Sequence, residues 1–362
     1  MQHLLRLCAS PPQPLPLPAS SLLLAVEALS RRPAMTWAEG LAWAQASPGL
    51  VLEVSCLPKD ADFPGVMAQV RKLLPFLGAL QVQDPGLALA LGRETGLPLH
   101  LSLEQGIPNQ AAILAWAKAI PQATRLVLSN QLPLAAITAL AQQTPVELEL
   151  QALGQLETLY SPRPLLQKIF PGNACLATSP DRPRQHFPVQ ETPLGMVMFH
   201  DKELFLLDQA DRMQAAGVTH LRLEPSPGLE WRLTLDWLAG GIATPQLKAL
   251  WPSRTTKGFL LKNRTDKPLA RLVNQHQQAQ AGQELGRILE VTKGSHWVVE
   301  LFQELLLPQQ VLLASPEGTT KPWELNGLTN LQGTVAKPCQ PGIYLAPWHK
   351  GASPQTRILK AR

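Results

Sequence analysis

Read for alternation and apolar runs, the N-terminal part of the chain breaks into short β-rich stretches with helical segments between them. Strands are expected at 3–9 (HLLRLCA), 21–27 (SLLLAVE), 50–56 (LVLEVSC), 79–84 (ALQVQD), 97–102 (LPLHLS), 125–129 (RLVLS), 146–151 (VELELQ) and 219–224 (THLRLE). Helices are expected at 36–46, 63–77, 85–95, 109–120, 132–143 and 202–217, several opening on proline or a capping residue. Strands that alternate with helices form a parallel sheet, and eight of them close most naturally into a TIM-like (β/α)8 barrel over residues 1–240. An open doubly wound sheet is the alternative. Between the first two strands stands SPPQPLPLPAS (10–20), whose serial prolines cannot supply the N–H groups of a helix, so the barrel wall is expected to be thin there.

After Glu224 the pattern changes. One more helix fits 229–240, and residues 241–284 read as a basic, glutamine-rich linker. From Arg287 onward, RILEVT, HWVVELF, QVLLAS, PWELNG, GIYLAP and TRILKA are short strands separated by Gly, Pro and Asn turns. They predict a small C-terminal antiparallel β-barrel or sandwich over 285–362.

Composition narrows the picture. Of 362 residues, 45% are hydrophobic and 16% charged, which argues against long disorder, while 35 prolines predict many rigid loops. Cys8, Cys56, Cys175 and Cys339 are far apart, with no C-x-x-C pair and no zinc spacing, as suits a reducing cytoplasm. Prolines interrupt the apolar N-terminus too early for a signal peptide or a membrane span. A net charge of +5 admits an anionic partner such as RNA without requiring one.

In such barrels the working residues sit at the C-terminal ends of the strands. Here those ends carry Glu27, Ser55, Gln83, Asp84, His100, Ser102, Ser129, Glu149, Gln151, Arg222 and Glu224. Each alone could be satisfied by a neighbouring loop. Together they predict a polar cavity, since a buried polar group without a partner costs about 1–3 kcal/mol. No G-x-S-x-G elbow, H-E-x-x-H, Walker loop or G-x-G-x-x-G is present. His100 and Ser102 share a strand face and make one candidate base–nucleophile pair; Glu149 with Glu224 makes a candidate acid/base couple, unless these carboxylates bind an arginine such as Arg222. Asp84 completes the catalytic candidates.

The order of several segments resembles peptidase family U32, the collagenase-like peptidases. SRRPAMTWAEGLAWAQ (30–45), the Gln-Asp-Pro-Gly of 83–86, the His100-x-Ser102…Asn109 segment, TRLVLSNQLPLAAI (124–137), ELELQALGQLETLYSPRPLL (147–166) and AAGVTHLRLE (215–224) carry the likeness. It implies a TIM-like barrel, in many members followed by a small β-barrel. Its better understood members are similar to accessory proteins of oxygen-independent hydroxylation acting on ribosomal RNA, transfer RNA or a quinone precursor, with a [4Fe–4S] cluster on four cysteines. Tyr160, Ser161 and Arg163, with Asn109, Arg125 and Arg222, are the binding positions it suggests. The resemblance places cysteines where this chain has Glu157, Pro164 and Phe205, and Cys175 alone cannot hold a cluster. Ser129-Asn130-Gln131 also departs from the family's Ser-Arg-Glu.

No cofactor is therefore expected. Arg163, clamped between prolines, is expected either to pair with Glu147 or Glu149 or to meet a ligand. Arg254, Lys257, Lys262, Arg264, Lys267 and Arg271, with Arg182 and Arg184 in the long seventh loop, suggest phosphate contacts or else a solvated linker. Trp231, Trp237 and Trp251 could stack on bases or simply pack. Three readings follow: an RNA-hydroxylation-type accessory factor without the cluster, a non-catalytic binding barrel, or a peptidase. RNA or a partner protein is the expected partner; nothing points to a membrane or to DNA.

Overall fold

The computed structural model describes residues 1–7, 15–104, 107, 109–166, 172–179, 182–261, 283–316, 319–335 and 337–361. Cys8 lies outside them. Two compact units are formed, Met1–Cys175 with Pro188–Asp266, and Leu176–Phe187 with Lys267–Arg362.

In the first unit, all eight expected strands form: β1 (Gln2–Arg6), β2 (Leu22–Leu24), β3 (Leu50–Val54), β4 (Leu77–Val82), β5 (Leu99–Ser102), β6 (Ala123–Val127), β7 (Glu147–Ser161) and, after the excursion described below, β11 (His220–Glu224). Each pairs in parallel with the next, β11 pairs with β1, and the β7–β11 pairing, with Glu149 opposite His220, closes the ring. The open-sheet alternative is thereby excluded. Helices α1 (Trp37–Ala46), α2 (Phe63–Leu73), α3 (Pro85–Glu94), α4 (Gln110–Ala119) and α5 (Leu134–Ala141) fill the crossovers. Thr36 caps α1 in a reciprocal box with Glu39. Between β1 and β2 the described residues hold only a short 3-10 turn, Ala19–Ser21, and β2 is three residues long, as the prolines led one to expect.

Three expectations need correction. β7 does not stop at residue 151 but runs 15 residues to Ser161. Gly154 makes this possible: at φ +107° it turns the strand off the ring, and a Cβ there would overlap the Glu224 carbonyl oxygen. Before the bend β7 pairs with β6 and β11; beyond it, β7 pairs antiparallel with β10 (Gly195–Phe205), itself paired with β9 (Arg182–Thr192), which neighbours β8 (Ala174–Ser179). Gly154→Ala is expected to lower the unfolding free energy by about 1–3 kcal/mol, read from urea denaturation, because an L side chain is strained there. Second, the helix expected over 202–217 is β10 up to Phe205, with α6 confined to Ala210–Ala215. Glu203 and Leu204 pair with β12 (Thr255–Thr256), and Phe205 with Leu153, so sheet pairing overrides local helix propensity. Third, the stretch after 240 is not all linker. α7 (Leu229–Leu238) is followed by α8 (Thr244–Leu250) and then β12.

In the second unit, β13 (Glu284–Thr292), β14 (His296–Leu301), β15 (Gln309–Ala314), β16 (Thr320–Leu325), β17 (Thr329–Asn330), β18 (Gly342–Pro347) and β19 (Arg357–Lys360) form an antiparallel sheet in the order β16-β15-β19-β13-β14-β18-β17. Its own core includes Ile288, Trp297, Val299, Val311 and Ile358.

Strand alternation sorts the barrel residues into two sets. Leu5, Leu24, Leu52, Leu80, Leu101, Leu126, Leu148 and Leu221 join helix residues such as Met67, Leu87, Ile113 and Ile137 in the main core. The alternate set contains a small apolar cluster, Leu4, Leu23, Val51 and Ala79. The rest of that set is polar: Glu53, Gln81, His100, Ser102, Arg125, Glu149, Gln151, His220, Arg222 and Glu224, all buried. Most barrels of this kind fill the interior with branched aliphatics; this one fills much of it with polar and charged side chains.

Candidate functional site at the barrel mouth

A doubled arginine sits over the C-terminal strand ends. The N–H groups of Ser55 and Cys56 donate to the Leu29 carbonyl, and the Arg31 N–H donates to Ser55 Oγ at 3.1 Å, which pins the loop after β2 to the end of β3. Arg31 donates to Gln83 Oε1 at 2.8 Å, lies 4.4 Å over the Tyr160 ring and stands 3.2 Å from Glu157. Arg32 pairs with Glu224 at 2.7 Å and Glu157 at 3.7 Å. Glu53 accepts from Arg6 at 2.9 Å, Ser30 at 2.6 Å and Ser55 at 2.8 Å.

Deeper in, Arg222 contacts three carboxylates: Glu224 at 2.6 Å, Glu149 at 3.2 Å and Glu104. Glu149 is shared with Arg125 at 3.2 Å, and Arg125 in turn binds Glu147 at 3.1 Å and His220 Nε2 at 2.8 Å. Charges of alternating sign thus run from Glu147 at the N-terminal end through Arg125, Glu149, Arg222, Glu224 and Arg32 to Glu157 at the mouth. Burial alone would push every member toward its neutral form. For Glu224 the arginines Arg32 and Arg222 outweigh it and hold the carboxyl below its ordinary value. Arg6, Arg32 and Ser30 do the same for Glu53, and the surrounding carboxylates raise Arg32 and Arg222 despite their burial. For Glu149 and Glu157 burial prevails, and both sit above the ordinary value.

This network floors a cavity of about 280 Å³ lined also by Gln81, Gln83, Ser102, Ser129, Asn130, Gln151, Leu156, His200 and Phe259. Gln81 Oε1, Asn130 Oδ1 and the Nε of Arg31 are buried there without a hydrogen-bond partner. Such atoms are what a bound polar molecule or ordered water satisfies.

The structure brings together Ser55, Gln83, Ser102, Ser129, Gln151, Arg222 and Glu224 of the expected ring. Other candidates fall elsewhere. Asp84 caps α3, accepting from the Leu87 N–H at 2.8 Å, and Asn109 caps α4, accepting from Ala112 at 2.9 Å. His100 and Ser102 share a face but form no pair: Ser102 Oγ approaches Glu104 at 3.4 Å, whereas His100 lines a cavity at the other end of the barrel. Arg125 belongs to that end as well. Glu149 and Glu224 cannot act as a couple because Arg222 binds both. Tyr160 donates its hydroxyl to the Leu194 carbonyl at 2.7 Å, and Ser161 Oγ accepts from the Arg163 N–H at 3.2 Å. Arg163 is exposed and pairs with neither Glu147 nor Glu149, which are taken by Arg125 and Arg222.

Arg31, Arg32, Glu53 and Glu104 are site residues that sequence reasoning did not single out. Two signals were available: an acid inside the apolar run LVLEV, and the doubled arginine after a strand.

The positions where the resemblance places cysteines offer no thiolate to an iron–sulfur cluster. Of the positions where cysteines were sought, Glu157 is held by Arg31 and Arg32, Pro164 is exposed, and Phe205 is buried against Trp251 with ring centroids 6.1 Å apart. Cys56 is buried, which pushes its thiol up to about 12. Among the described residues no three His, Cys, Asp or Glu side chains are grouped to hold a metal ion.

Among the described residues, the cationic and aromatic candidates have partners within the protein. Arg254 pairs with Asp201 at 2.8 Å and Lys257 with Asp208 at 3.6 Å. Lys262, Arg264, Lys267 and Arg271, and the side chains of Arg182 and Arg184, lie outside the described residues. Trp231 and Trp251 are buried, and Trp237 packs on His3 and donates to Thr244, so all three pack.

Residues 49–227, from just before β3 to just past β11, match the family model of peptidase family U32. The chain belongs to peptidase family U32. No curated protein matches it. Among solved structures, the chitinase ChiW of Paenibacillus sp. str. FPU-7, a multi-modular cell-surface enzyme, aligns at 10% identity and a TM-score of 0.21 over 90% of this chain and 43% of that one. The chain thus spans less than half the length of that structure, and a likeness at this level carries no argument. The U32 stretch holds Glu53, Glu104, Glu149, Glu157, Arg222 and Glu224, whereas Arg6, Arg31 and Arg32 precede it. Among the described residues no helix is long and apolar enough to cross a membrane.

Proposed function

We propose that this U32-family protein is a binding factor in RNA modification of the hydroxylation kind, in a cytoplasmic setting, offering a recognition barrel and leaving redox chemistry to a partner. One observation carries the binding half of this reading: unpartnered buried oxygens of Gln81 and Asn130 face a mouth whose charges are already matched among themselves. A site of that kind holds a polar group by hydrogen bonds and has no free strong charge to act as acid, base or nucleophile. The RNA half rests on the family relation and the basic composition of the connection after α8.

The peptidase reading has the family's name behind it but no assembled nucleophile. Neither Ser102 nor Ser129 is hydrogen-bonded to a histidine in the described residues, and His200 at the mouth has its Nδ1 beside the Lys202 N–H at 3.0 Å and the Asp201 carboxylate at 3.1 Å. Nucleoside mass spectra of ribosomal and transfer RNA, with and without the gene, decide the matter. A hydroxylated nucleoside is expected to disappear and to return with the wild-type chain but not with Gln81→Leu. Unchanged spectra reject the RNA reading, and gelatin cleavage abolished by Ser102→Ala or Ser129→Ala would put a peptidase in its place.

A further inference from the structure

The N-terminal face of the barrel holds a second cavity, larger than the mouth at about 500 Å³. Its walls are mostly small or apolar, among them Gly49, Val51, Gly78, Ala79, Pro98 and Ala123, with Ser20, Thr124, Arg125 and Glu147 as polar members of the lining. Glycine is required at 78, because a Cβ would meet the Gly49 carbonyl oxygen at 2.5 Å, so the close approach of β3 and β4 helps shape this space. At the inner end stands His100, 4% exposed, with Nδ1 lacking any hydrogen-bond partner. The neighbouring cation is spoken for: Arg125 is bound by Glu147 at 3.1 Å, Glu149 at 3.2 Å and His220 at 2.8 Å.

We propose that this cavity is a binding site for a small neutral molecule with an apolar body and one hydroxyl or amide head, which hydrogen-bonds the His100 ring. The walls select the body by excluding water from apolar surface. The charges select the head. Arg125 is matched by Glu147 and Glu149, so the cavity offers no free counter-charge to an anion or to a cation. Burial, Arg125 and His220 hold the His100 ring neutral, and a neutral imidazole can donate to or accept from a hydroxyl. The empty partner position on a buried histidine is the second, separate sign of a ligand.

The full chain is titrated with benzyl alcohol, benzoate and benzylamine, which share one apolar body and differ in head charge, while the histidine ring signals are followed by NMR. His100→Gln identifies the His100 signals by removing them. Benzyl alcohol is expected to shift them saturably and at least tenfold more tightly than benzoate or benzylamine. Ala123→Leu, which pushes a bulky side chain into the cavity beside His100, is expected to weaken binding at least tenfold in a chain that still unfolds cooperatively. A lack of saturable shift with all three compounds, or equal binding by Ala123→Leu, overturns the site; tighter binding of benzoate or benzylamine overturns the neutral head.

Discussion

Arg222→Met is expected to lower the unfolding free energy by about 3–5 kcal/mol, the usual cost of removing one partner from a buried ion network. Arg222 is 1% exposed and binds Glu104, Glu149 and Glu224. Methionine keeps the unbranched apolar stem of the side chain but leaves Glu149 with Arg125 alone inside the barrel and Glu224 with Arg32. The penalty arises from carboxylates already stripped of water rather than from the loss of attraction as such. Arg222→Met combined with Glu149→Leu should therefore cost less than the two single changes added together, because neither charge is then stranded. Urea denaturation of the four species measures this directly. A loss below about 1 kcal/mol for Arg222→Met would mean that water reaches the interior and the column is not dry.

Stability is expected to fall steadily as pH drops below 6.5, and the barrel histidines His100 and His220 are the cause. His100 is pushed down to about 3 by burial, then by Arg125 and His220; His220 is pushed down to about 4, again chiefly by burial and Arg125. Their unfolded values are near 6.5. Between 6.5 and those folded values the unfolded chain binds protons that the folded chain refuses, so the stabilisation is complete above 6.5 and drains as pH falls, by about 1.4 kcal/mol per pH unit for each histidine. Glu149 and Glu157, held above the ordinary carboxylate value, work in the opposite direction. The difference between wild type and His100→Asn isolates one histidine from that background. Urea midpoints at pH 7, 6 and 5 should converge for the two proteins as pH falls. A constant gap would show that His100 is protonated or solvated in the folded state.

Much of the architecture was legible because it is repeated. Each barrel strand is a short apolar run beside a helix with its own start signal, so local pattern and global fold agree. Where they disagree, sheet pairing wins: KELF joins β7 and β12 as strand although its sequence suits a helix, since that segment completes a sheet edge. The extension of β7 past Leu153 was invisible for a related reason. A glycine at positive φ redirects the strand without interrupting its apolar alternation, so the sequence alone suggests a turn where the chain only bends.

The site was less legible. Alternation correctly put His100 with Ser102, and Glu149 with Arg222's face, toward the interior, but alternation says nothing about height along the barrel axis. A rise of about 3.3 Å per residue separates His100 from Ser102 by enough to place one at each end. Asp84 and Asn109 illustrate the converse error: polar residues after a strand are equally good helix caps, and both cap.

By itself, then, the sequence determined the eight-strand ring, the polar lining of that ring and the absence of cluster cysteines at the positions sought, because period and residue type are properties of the chain taken one segment at a time. Only the tertiary structure decided which charge meets which. Glu157 with Arg31, Glu224 with Arg32 and Glu149 with both Arg125 and Arg222 are partners brought together by closing the barrel, some of them far apart along the chain. The energy of a buried charge depends on the distance to its partner and the exclusion of water, and neither exists before the ring is shut.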